Sequence, residues 1–289
     1  MNYRLKSSDM LLNKIKFLLK VKDHPNILIL EDVKRDSKDS DFFIQTEPLI
    51  TLEAHIRNDS MSKDEILKMT LDILCALELY HENGFYCGNI SPKNIFLAPD
   101  GSFKLGGFDP EPLFTAPESL TTYEKNIVSD IYCLALTAYM LLNNKVISFT
   151  PKDALTLAEA DKTLPPPKDI DKELLNIINC AANPKASKRF KTPSAFKKAL
   201  EYYISNHTEK QETATEQKKE ENKEKTQTPI TNEPVPEPKP KEETHIESET
   251  KQTKIPSEKA KKAFGIITSV ISLLLIAAAV AAVFVMTKA

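Results

Sequence analysis

No glycine precedes Gly84 in the 289-residue chain. The first part of the sequence therefore holds no glycine-rich turn of the kind whose bare backbone N–H groups cradle phosphates. Cysteine is scarce too. The four that occur, Cys75, Cys87, Cys133 and Cys180, have no C-x-x-C spacing, which argues against a zinc site or a disulfide framework. Cys75, Cys133 and Cys180 fall in apolar helical patterns, as expected of buried free thiols in a reducing compartment. A formal net charge of -2 exerts no pull on nucleic acid, so no nucleic-acid partner is expected. Lysines break up Met1 to Lys22, and no signal peptide is expected there.

One long apolar run is present, at the other end. Phe264 to Met286 contains no charge, and as a helix it would rise about 34 Å, enough to cross a bilayer core. Residues 263–287 are thus predicted to form a transmembrane helix. Lys259, Lys261 and Lys262 precede it and only Lys288 follows, which by the positive-inside rule puts the N-terminal part in the cytoplasm. The chain reads as a tail-anchored, single-pass membrane protein. Before the anchor, residues 207–262 are rich in Glu, Lys, Thr and Pro, and no aromatic occurs up to Ser257. Such a segment cannot bury enough apolar surface to offset chain entropy, so a disordered linker is predicted. Glu233 to Pro240 within it reads as stiff polyproline II, a spacer or a ligand for a proline-recognition module.

The remainder has the patterning of a folded α+β unit. Leu11 to Val21 carries apolar residues at helical spacing, namely Leu11, Leu12, Ile15, Leu18 and Leu19, and ends at His24-Pro25. Ile27–Val33 and Phe42–Gln45 read as strands. Thr51 opens a short helix. Ser62 to Glu65 is a capping-box signature for a long helix whose buried stripe is Ile66, Met69, Ile73, Leu74 and Leu77. That helix ends at Gly84, suited to a left-handed residue. A polar loop, Asn89 to Asn94, follows. Two short strands, Ile95–Leu97 and Ser102–Leu105, then flank a Pro99-Asp100-Gly101 turn. Asn126 to Leu142 is almost wholly apolar, as in a helix buried on all sides. Thr192-Pro193 sets a last helix whose core face is Phe196, Ala199, Leu200 and Tyr203.

The stretch from His81 to Glu118 resembles the catalytic core of a eukaryotic-type protein kinase. The family pattern H-R-D-x-K-x-x-N corresponds to Cys87-Gly88-Asn89-Ile90-Ser91-Pro92-Lys93-Asn94. D-F-G corresponds to Gly107-Phe108-Asp109, and A-P-E is intact as Ala116-Pro117-Glu118. The resemblance implies a kinase-like fold: a truncated N-lobe over 1–48, with one helix and two strands, and a mainly helical C-lobe over 49–206. It further implies structural roles for Glu118, paired with Arg189, and for Asp130. A first-turn acid favoured by the helix dipole and a buried carboxylate holding the catalytic loop both suit Asp130. Near Lys14 or Ile15 the family places a glutamate, and neither residue is acidic. Lys6, in Tyr-Arg-Leu-Lys, is expected to be a solvated surface lysine.

The chemical positions have changed within that frame. The catalytic base position is Asn89, an amide that can orient a hydroxyl but is no useful base. The loop lysine position is Ser91. The metal-bridging aspartate position is Gly107, which offers no ligand. Asn94 and Asp109 are the candidates left for a metal or cofactor. Only Pro110 to Thr115 separate the last two motifs, leaving almost no shelf for a substrate peptide. Phosphoryl transfer needs an oriented nucleophile and metal ions on the phosphates. The expectation is therefore a membrane-anchored pseudokinase with no cofactor, serving as an interaction scaffold for a protein partner at the membrane. That partner is expected to dock on the cleft side left open by the short N-lobe. The alternatives are a divergent serine/threonine kinase or ATP-binding protein that holds Mg-ATP through Asn94 and Asp109, and a plain structural tether.

Overall fold

The computed structural model describes residues 1–122, 125–168 and 170–207. In chain order the elements are β1 (Asn2–Leu5), α1 (Asp9–Lys20), β2 (Leu30–Arg35), β3 (Phe42–Thr46), β4 (Ile50–Thr51), α2 (Leu52–Asn58), α3 (Lys63–Glu82), β5 (Ile95–Leu97), β6 (Phe103–Leu105), α4 (Ser119–Thr122), α5 (Ile127–Leu142), α6 (Pro151–Glu159), α7 (Lys172–Ala181) and a final helix α8 over 193–207. The architecture is α+β, with two small sheets and many helices, consistent with a kinase-like fold. The linker from residue 208 and the apolar run at 263–287 lie outside the described residues. None of the described helices is long and apolar enough to cross a membrane.

Local chemistry sets the helix ends. The Ser62 hydroxyl accepts from the Glu65 N–H at 3.2 Å, and the Glu65 carboxylate accepts from the Ser62 N–H at 2.7 Å. Each group satisfies a donor that the first turn of a helix leaves unpaired. Asn126 and Ser129 make the same reciprocal cap for α5, and Thr150 and Asp153 for α6. Thr51 caps α2, accepting from the Ala54 N–H at 3.1 Å.

One antiparallel sheet runs in the order β1-β3-β2, and a second in the order β4-β5-β6. The first sheet corrects the two-strand reading of residues 1–48. β1 pairs along β3, with Tyr3 opposite Ile44, so that part has three strands. Four residues with one buried tyrosine are too few to show a period of two. A second correction concerns Ile27–Val33. The strand proper starts at Leu30, while the preceding backbone turns to β6: the Leu28 N–H donates to Leu105 O at 3.0 Å and the Leu105 N–H to Asn26 O at 2.8 Å. At the end of the first sheet the Glu47 carboxylate accepts from the Ile29 N–H at 2.8 Å and pairs with Lys104 at 2.9 and 3.0 Å. This ion pair pins the connection between the two sheets.

α5 is the core of the helical part, buried from Ser129 through Leu141 and packed on α3. All five residues of the α3 stripe are buried. Burial of each such aliphatic side chain contributes about 1.5–3 kcal/mol. On α1 the buried face is rotated from the expected one. Leu19 is 44% exposed and Phe17 only 4%. Phe17 stacks on Phe85 at 4.6 Å and meets Tyr80 edge-on at 4.9 Å, contacts with the end of α3 that no local periodicity reveals.

Three elements interlock at Asp171, the N-cap of α7. Its carboxylate accepts from the Leu174 N–H at 3.0 Å and from the Tyr203 hydroxyl at 2.6 Å, while Lys63 donates to that hydroxyl at 3.0 Å. Burial acts to raise the Asp171 carboxyl, but the Leu174 N–H, the Tyr203 hydroxyl and Lys63 outweigh it and hold it below its ordinary value. A depressed folded-state value makes this contribution complete above about pH 4 and removes it as pH falls through that value. Asp171→Asn is expected to melt lower than wild type at pH 7, with the gap closing in acid. Thermal unfolding across that pH range checks it.

Candidate functional site

The loop that corresponds to the catalytic loop is held from three sides. α3 ends at Glu82 with Asn83 as its C-cap, and Gly84 takes the left-handed conformation at φ 75°, which turns the chain toward α5. There Asp130, fully buried, accepts from the Cys87 N–H at 2.9 Å and the Gly88 N–H at 2.7 Å. Its Oδ2 also lies 3.0 Å from His81 Nε2. Of the two roles open to Asp130, the contacts are those of a carboxylate holding the loop backbone. Sequence reasoning missed His81. Its only signal was a place in the last turn of a helix, where a basic side chain suits the free carbonyls.

Further along, Asn94 is fully buried and both ends of its amide are engaged. Nδ2 donates to Asp109 O at 2.7 Å and to Ser91 Oγ at 3.3 Å, and Oδ1 accepts from the Asp109 N–H at 3.3 Å. The structure thus brings Asn94 to the backbone of Asp109. The Asp109 residue is exposed, and its charge, after burial, helps to push the Tyr3 phenol up to about 12. Ser91 is fully buried beneath the loop. Asn89 is half-buried, and its side-chain oxygen accepts from Lys125 Nζ at 3.4 Å.

Gly107 sits at φ 115°, and a Cβ there would meet Asn94 Cβ at 3.1 Å and Asn89 O at 3.2 Å. The bare Cα lets the backbone that follows β6 pass close to the loop. Lys14 reaches across from α1: its Nζ donates to Gly107 O at 3.0 Å and lies 5.4 Å from the centre of the Phe108 ring. The Lys14 ammonium thus binds the Gly107 backbone directly.

The structure also brings Glu118 and Arg189 together. Arg189 Nη1 and Nη2 donate to the two carboxylate oxygens, each at 2.7 Å. The remaining N–H groups donate to Asn183 O at 2.7 Å, Val128 O at 3.0 Å and Pro184 O at 2.9 Å. All five guanidinium donors are used. The arginine side chain has no exposure, and the guanidinium lies 4.5 Å from the centre of the Tyr132 ring.

No family model matches the chain. Curated protein kinases do. A probable serine/threonine-protein kinase PknB of Lactococcus lactis is 22% identical over 153 residues, 47% of this chain. The mitosis inducer protein kinase cdr2 of Schizosaccharomyces pombe is 26% identical over 149 residues, 45% of this chain. Sperm motility kinase 2B of Mus musculus is 26% identical over 193 residues, 58% of this chain. The chain is protein-kinase-like. It spans only 24%, 19% and 39% of the length of these relatives, respectively. In this kinase-like chain the loop-holding carboxylate and the Glu118–Arg189 pair are present as geometry.

Proposed function

We propose that this kinase-like chain is a pseudokinase, anchored to a membrane by Phe264–Met286, and that it works as an interaction scaffold. The observation that carries the reading is the use made of Asn94. Its amide is spent at both ends on the backbone of Asp109, beside a Gly107 that has no side chain to offer a metal. A magnesium–nucleotide group, which the kinase-like fold implies, does not fit these residues. The loop holds no carboxylate from Cys87 to Asn94, so an attacking hydroxyl would find no base there to accept its proton.

A scaffold needs a partner. Between the loop at Gly88–Ser91 and the segment from Pro110 to Ala116 lies a cavity of about 290 Å3, with Ile90, Pro110, Pro112 and Phe114 among its walls. We place a protein partner's docking contact on this cleft side. Tethered by a long linker, the domain would meet membrane-bound partners at raised effective concentration. Deleting Phe264–Met286 is expected to release the chain from the membrane fraction of cells that express it; retention without that segment would refute the anchor.

Gly107→Asp tests the inactive reading from the other direction. If the site had merely lost one ligand, restoring the aspartate would restore Mg-ATP binding. The backbone at φ 115° and the contact with Asn94 predict instead a loss of about 1–3 kcal/mol in stability. No stabilisation by Mg-ATP is expected in either the variant or the wild-type chain. Thermal melts with and without Mg-ATP decide it, and a clear rise in the wild-type melting temperature would favour the divergent-kinase alternative.

A further inference from the structure

Between α1 and the loop at 84–89, bordered by Gly107 and Phe108, lies a cavity of about 680 Å3. That volume falls in the usual range of small-molecule sites. Among the described residues, the charged members of its wall are all lysines: Lys6, Lys14 and Lys125. Lys14 Nζ donates to the Gly107 carbonyl at 3.0 Å and Lys125 Nζ to the Asn89 amide oxygen at 3.4 Å. Both acceptors are neutral, and none of the three lysines forms an ion pair among the described residues. Lys14 and Lys125 come from different parts of the chain, yet both act on the Cys87 thiol: burial pushes it up, the two ammonium groups pull it down, and the Asp130 carboxylate buried behind the loop pushes it up. Their charges therefore converge on one space.

Lys125 reaches that space because of Gly88. A Cβ at Gly88 would stand 2.0 Å from Lys125 Cδ and 2.7 Å from its Nζ. Any side chain at this position, arginine in the kinase pattern, would displace the lysine. The rest of the wall includes flat apolar surface from Phe85, Tyr86 and Phe108. Like charges that share a recess, with no ion-pair partner among the described residues, repel one another and attract counter-charge.

We propose that this cavity binds a small phosphomonoester with a flat apolar body, its phosphate on Lys6, Lys14 and Lys125 and its body against Phe85, Tyr86 and Phe108. A phosphate brings up to two negative charges and three acceptor oxygens to three donors, which a single carboxylate cannot match. The site borders the loop at Asn89 and Gly107 but uses neither Asn94 nor Asp109, so phosphomonoester binding without metal is tested separately from the pseudokinase reading.

Phenyl phosphate titrated into the full chain in detergent, at low salt with EDTA present, tests the proposal by calorimetry. Saturable binding is expected, weakening as salt rises. Lys14→Met and Lys125→Met should each lower affinity roughly tenfold or more, the loss of one charge-assisted hydrogen bond. Lys125 is exposed, so its replacement leaves the fold intact and keeps the test decisive if Lys14→Met unfolds. Benzyl alcohol, the neutral analogue, should not bind measurably. Absence of saturable phenyl phosphate binding, unchanged affinity in Lys125→Met, or equal binding of benzyl alcohol would each overturn the proposal.

Discussion

Replacement of Arg189 by methionine is expected to lower the unfolding free energy by about 3–5 kcal/mol, a large part of the stability of an ordinary domain. Methionine fills much of the volume, so lost packing is the smaller part. The larger part is what remains behind: the Glu118 carboxylate without its partner and three main-chain carbonyls, those of Asn183, Val128 and Pro184, without their donor. Arg189→Lys should recover only a fraction, since a single ammonium cannot reproduce the planar fork on Glu118 and reach the three carbonyls as well. Glu118→Leu combined with Arg189→Met should cost less than the sum of the single changes, because each single change strands a charge and the pair does not. Urea unfolding of wild type, the two single variants and the double variant measures this coupling, and Arg189→Lys in the same series measures the recovery.

Asp130→Ala is expected to be as damaging, again about 3–5 kcal/mol, because it leaves buried donors with no acceptor. The Cys87 and Gly88 N–H groups and His81 all converge on this one carboxylate. Asp130→Asn separates charge from shape. The amide fits the space, but one of its ends must present hydrogens to a donor, so it should fall between wild type and alanine. Hydrogen exchange gives a local readout: the Cys87 and Gly88 amides should lose protection in both variants before α5 does, since they hang on the carboxylate while α5 keeps its own ladder. An Asp130 that merely favoured the helix dipole would leave those two amides unchanged.

On the pseudokinase reading proposed above, Arg189 and Asp130 are the parts of a kinase-like scaffold that serve the fold. Both hold backbone in place, and neither requires a substrate. The same reading puts Asn89, Ser91 and Gly107 where phosphoryl transfer would need charge. At Gly107 the backbone after β6 lies against Asn94, in the space that a side chain would need.

Much of the helical part is legible in the sequence because its signals are local. The helix starts at Thr51 and Ser62, the α3 stripe and the apolar run of α5 all lie within a few residues of what they determine. The Glu118–Arg189 pair is accessible only through resemblance, since 71 residues separate the two. What escapes is long-range or very short. β1 is four residues with a single partner strand. Lys14 reaches Gly107 across 93 residues, and His81 reaches Asp130 across 49. Lys125 lying over Gly88 is visible only as an occupied volume. No window of sequence encodes such contacts, and they are also the ones that give the site its present character.

The most direct test is transfer of labelled γ-phosphate from Mg-ATP by the purified full chain, to itself or to an added protein. We expect no incorporation above that of a sample without the chain, and no difference between wild type and Asn94→Ala. Magnesium-dependent incorporation that disappears in Asn94→Ala or Asp109→Ala would contradict the account.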